Sequence, residues 1–187
     1  MVTVRVTADP IKFKRNLKNL PAILCGKDGR FARIRNLYWG VFIREMFRRL
    51  QNSFRVRSRG EVDDTGSSWH YLKRKTVKRK SREHSRGGLY PGVKVPAAAH
   101  PRFINRDTEE LFKSLAMGHL TGTWYQPRPG QIAKLSGTSL QLGTDVLHAS
   151  RVDKERPIFP RELSKWIREA SAIAMDAIVP YLGDLKD

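Results

Sequence analysis

The chain contains one cysteine, Cys25, so no disulfide can form within it, and that is compatible with assembly in a cytoplasm. It has no apolar run of 18 residues, so neither a spanning helix nor a membrane partner is expected. The first ten residues, MVTVRVTADP, lack the basic start and continuous apolar block of a signal peptide. Paired metal ligands are missing too. The five histidines (His70, His84, His100, His119 and His148) are scattered, with no cysteine or second histidine at ligand spacing. Gly87-Gly88 lacks the flanking Lys-Ser/Thr of a phosphate-binding loop. Cys25 has no nucleophile signature around it and reads as a small buried residue. Asp63-Asp64, between Gly60 and Gly66, reads as a turn and not as a metal pair. No catalytic residue, metal ligand or cofactor is therefore assigned, and the chain is not read as an enzyme.

Acidic residues are scarce in one half only. Residues 1–106 carry 26 Lys/Arg against 7 Asp/Glu, whereas residues 107–187 carry 10 against 11, within a formal net charge of +18. Charge this uneven implies one basic face or extension, because self-repulsion on that scale is costly without a partner. Its densest part is Lys73 to Arg86, where Lys73, Arg74, Lys75, Lys78, Arg79, Lys80, Arg82 and Arg86 face a single acid, Glu83. Trp69 and Leu72, with Thr76 a helical turn further on, are placed to anchor this strip to the body.

The remaining pattern predicts an α+β domain. Val2, Val4 and Val6 alternate with polar residues as in a half-buried strand, and Asp9-Pro10 opens a helix. Pro21 should stop or kink that helix near Leu20. From Phe31 through Ile34, Tyr38, Phe42 and Phe47 to Leu50 the apolar residues recur with a helical period, which predicts a long central helix reaching about Phe54. Glycine and proline then break the pattern from Arg55 to Arg106, where an extended basic arm is expected, with at most one short helix over about 68–80. Leu89 to Val95 holds a short strand-like piece. Asp107 to Ala116 reads as a capped helix, 117–125 and 131–143 as two antiparallel strands joined by 126–130, and Pro160 as the start of a last helix ended by Pro180 and Gly183. Leu163, Trp166, Ile167, Ala170, Ile173, Ala174, Ala177, Ile178 and Tyr181 supply its apolar stripe. The whole, residues 1–187, is read as a single domain: a small antiparallel sheet packed on the central and C-terminal helices, with the arm inserted at 55–106.

The spacing Gly66, Trp69, Leu72 and Thr76, followed by Lys80, resembles the Mu-type phage virion morphogenesis proteins, the tail-completion or neck proteins of tailed phages. Thr108, Leu111 and Ser114, Gly143-Thr144 after the second strand, and Arg156-Pro157-Ile158-Phe159 before the last helix follow in the same order. Glu109 stands where that family usually has glycine, and His148-Ala149 where it has Tyr-Ala. The resemblance implies a structural protein of the head–tail neck, assembled in the host cytoplasm. It implies a ring of like subunits, expected to be a hexamer, between the head connector or stopper and the tail terminator or tube, around the DNA path. In that setting the basic strip would grip protein neighbours. The alternative is a nucleic-acid-binding module, with phosphate contacts from Lys/Arg and stacking from Trp69, Tyr71 and Tyr90.

Overall fold

The computed structural model describes residues 19–71, 73–85, 110–136, 139–146, 149–160 and 162–182. The strand expected at Val2–Val6, the helix start at Asp9, the Leu89–Val95 piece and the Asp107 cap lie outside these residues. In chain order the elements are α1 (Leu20–Cys25), a 3-10 turn (Gly29–Phe31), α2 (Ala32–Ser58), α3 (Arg74–Ser85), α4 (Glu110–Ser114), β1 (His119–Thr121), β2 (Trp124–Gln126), β3 (Gln131–Ser136), β4 (Ser139–Thr144), α5 (Ala149–Glu155) and α6 (Ser164–Leu182). The class is α+β.

The 27 residues of α2 organise the core. Ile34, Tyr38, Phe42, Ile43, Met46, Phe47, Leu50 and Phe54 are all buried, spaced by three or four so that they share one face. Asp28 prepares the helix entry by accepting a hydrogen bond from the Arg30 amide at 2.9 Å. Gly40 is needed on the face that meets β1 and β2. A Cβ there would lie 2.7 Å from the end of the Leu120 side chain, which would have to turn aside, and 3.3 Å from the Thr123 carbonyl, which would have to give by a few tenths of an ångström. Gly60, at φ +81°, turns the chain just past the helix end.

α6 runs antiparallel to α2, because Arg49 meets Glu169 at one end and Arg33 lies over the Tyr181 ring at the other. Trp166, Ala170, Ala174, Ile178 and Leu182 form its buried row at spacing four. The two alanines let the helix backbones approach closely, and Trp166, Ile178 and Leu182 contribute on the order of 2 kcal/mol each by leaving water. The row is narrower than the periodicity predicts, since Ile167, Ile173 and Tyr181 remain partly exposed. Pro180 does not end the helix, which runs to the fully buried Leu182. A proline in the last turn removes one amide and does not prevent its successors from bonding backward. Nor does Pro160 open it. Pro160 is buried in an extended step, and the helix starts at Ser164.

Other expectations are corrected. The helix expected to stop or kink at Pro21 lies largely outside the described residues; Pro21 itself sits in the first turn of α1, where its missing amide costs nothing. The expected single hairpin is two separate hairpins. β1 pairs with β2 through Leu120 opposite Tyr125, and β3 pairs with β4 from Gln131–Thr144 to Ser136–Ser139. Gly122, at φ +61°, folds the first stretch back on itself, so that 126–130 links two hairpins and does not close one. Gln131 joins them. Its side chain accepts from the Tyr125 hydroxyl at 2.6 Å and donates to the Ser114 and Ala116 carbonyls at 3.2 and 2.8 Å. Residues 149–155 form α5. Cys25 is half-buried.

Candidate interaction surface at the root of the basic helix

The last turns of α2 put a charge where the helical phase calls for an apolar residue. Arg57 falls three residues after Phe54 and is 1% exposed. Its guanidinium donates to the Pro157 carbonyl at 2.7 Å and to the Ile158 carbonyl. Nε lies 3.3 Å from the Asp63 carboxylate. Burial pulls the Arg57 pKa down, and the attraction of Asp63 and Asp153 works against it. The group stays cationic.

Asp63 completes the arrangement from the loop that follows Gly60. It accepts from the Ser53 hydroxyl, from the Thr65 amide at 2.9 Å and hydroxyl at 2.6 Å, and from the Ser67 amide at 2.9 Å. Burial alone would raise its pKa, but these hydrogen bonds outweigh it and hold the carboxyl below the usual carboxylate range. Asp64 turns the other way and accepts from Trp166 Nε1 at 3.1 Å. The Asp-Asp pair is a turn, as its glycine flanks predict, but it also closes a buried ion pair.

On this base sits Trp69, 4% exposed. Its ring meets Phe54 edge-on at 4.9 Å, lies 4.7 Å below the Arg57 guanidinium, and donates from Nε1 to the Pro157 carbonyl at 3.3 Å. Two residues on, the environment reverses. Tyr71 is 75% exposed and lies across Gly60, where a Cβ would collide with its ring. Val62 is 64% exposed.

Five residues after Trp69, α3 begins. Its 12 residues span Arg74–Ser85, displaced toward the C-terminus from the expected 68–80. The segment 59–71, expected as part of the arm, is instead tied to the body by the Asp63 loop. Lys73, Arg74, Lys75, Lys78 and Arg79 are exposed and Thr76 is half-buried. Arg74, Lys75, Thr76, Lys78 and Arg79 border an open recess of about 650 Å³. Lys80 and Arg82 lie within the helix; Leu72 and Arg86 lie outside the described residues.

Sequence reasoning located Trp69 as an anchor but missed Arg57, Asp63 and Val62. The available signal was an arginine at a buried helical phase with an acid six residues later. Among the described residues, no group of three His, Cys, Asp or Glu could hold a metal ion, and no helix is long and apolar enough to cross a membrane. Compared with known protein families, curated proteins and solved structures, the chain matches none.

Proposed function

We propose that this chain is a structural assembly protein that acts by binding other macromolecules. In the reading suggested by its sequence resemblance, it is a component of a phage head–tail neck. It would form a ring of its own copies and contact head connector or stopper proteins on one side and tail terminator or tube proteins on the other. The observation that supports a binding role is the composition at the root of α3. A buried tryptophan fixes the chain, two large apolar side chains beside it face solvent, and a basic helix follows at once. Exposed apolar side chains rimmed by charge are the ordinary make-up of a protein interface. The cations would steer an acidic partner surface, and Tyr71 and Val62 would supply the area removed from water.

The test reverses Lys73, Arg74, Lys75, Lys78, Arg79 and Lys80 to glutamate and scores head–tail joining in a complementation assay. Loss of joined particles with the isolated protein still folded is the expected result. Normal joining would remove the basic helix from the assembly contact.

A further inference from the structure

A second basic surface lies on the outer face of α2. The helix carries seven arginines and one acid, Glu45, over its 27 residues. Its fully exposed positions are Arg33, Arg44, Asn52 and Arg55, with Arg59 exposed at the C-cap. At 100° per residue, Arg44, Arg48, Gln51, Asn52, Arg55 and Arg59 fall within a sector of roughly 100°, and the row runs about 22 Å along the axis. Glu45 neutralises one member of the row from beneath. Its carboxylate is 9% exposed and grips Arg48 Nε at 2.7 Å, which fixes that guanidinium beside the others. Gln51 also borders a recess whose rim includes Lys113, His119 and Arg128, so further cation-bearing side chains flank the row.

We infer that this ridge binds the sugar–phosphate backbone of nucleic acid without regard to base sequence. All the ridge cations are arginines, whose forked donors match phosphate and carboxylate oxygens alike, and the intervening Gln51 and Asn52 add neutral donors in the same line. What favours nucleic acid over an acidic protein is what the row lacks. Among the described residues, no large exposed apolar side chain lies on α2; those are Val62, Tyr71, Trp124, Leu135 and residues of α6. A protein interface of this length would be expected to carry an apolar centre, and a phosphate backbone needs none. The ridge is rigid because the opposite face of the same helix is the core. The inference stands apart from the neck reading, which rests on the root of α3.

The experiment is fluorescence anisotropy of the full chain with a mixed-sequence DNA duplex across about 50 to 200 mM salt. The variant carries Arg44→Gln and Arg55→Gln together; Arg48 is kept so that Glu45 stays paired. Two lost phosphate contacts should flatten the slope of log affinity against log salt by about 1.8, at 0.9 per contact. A matching double Arg→Lys variant, which retains the charge, should keep most of the slope and guards against a folding artefact. An unchanged slope in the Gln variant overturns the inference. So does a polyglutamate affinity that equals that for the duplex and falls equally in the Gln variant, which would reassign the ridge to an acidic protein. Because the head–tail joining assay reads α3 and this titration reads α2, either idea can fail without the other.

Discussion

The two basic surfaces of this molecule carry the same charge on different foundations. The arginines of the α2 ridge stand on the outer face of a helix whose inner face holds eight buried apolar side chains, so their spacing is set by the core. The cations of α3 follow a short tether. What holds their root is a small cluster: Trp69 against Phe54, with Arg57 and Asp63 buried together behind it. A fixed, evenly backed row suits a partner of regular charge. A charged helix beside exposed Tyr71 and Val62 suits a partner that also offers apolar surface. Charge of the same sign therefore does not imply an equal partner; the apolar content beside it separates the two.

The sharpest way to break the comparison is at Arg57. Replacing it with Met should cost about 3–5 kcal/mol in urea unfolding, because Asp63 is left buried without its cation. The α2 ridge should keep its spacing as long as the chain folds, while Trp69 loses its cover. A loss below about 1 kcal/mol would mean that the pair does not hold the root.

Acid should act on the same place. The folded-state pKa of Asp63 lies below its ordinary value, so its ionised form adds stability above about pH 4, and that contribution is lost as pH falls through the depressed value. Unfolding followed between neutral pH and the acid limb should show a steeper decline for the natural chain than for Asp63→Asn. Parallel curves would place the acid sensitivity elsewhere.

The smallest expected effect on folding is at the exposed pair. Val62→Ser with Tyr71→Ser should change stability by no more than about 0.5 kcal/mol per site, as both side chains already face water. Self-association in sedimentation velocity should nevertheless weaken. If it is unaltered, the apolar flank does not distinguish the α3 root from the α2 ridge.

How much of this was legible varies by element. α2 was readable because Ile34 through Phe54 repeat at the helical period over many turns, and no local turn residue competes. Pro180 misled because the helix continues past the amide it lacks to the buried Leu182. The single expected hairpin misled because strand pattern says which residues alternate and not with which partner they pair; Gly122 decided that by adopting a positive φ.

The candidate surfaces divide in the same way. The density of cations from Lys73 onward and the apolar character of Trp69 are properties of neighbours in the chain, and they can be read in one dimension. The α2 ridge was partly visible, since its arginines fall off the apolar phase, but the pairing of Arg48 with Glu45 depends on the fold.

By itself, the order of residues determined the α+β class, the long central helix, the lopsided charge and the tryptophan before the basic run, all of which follow from local period and composition. Only the folded arrangement decided that Arg57 would be buried against Asp63, that the hairpins would be two, and that Gly40 would admit β1 so closely. Each of these depends on groups far apart in sequence competing for the same space, the same hydrogen bonds or the same escape from water, and that competition is resolved only when the chain closes on itself.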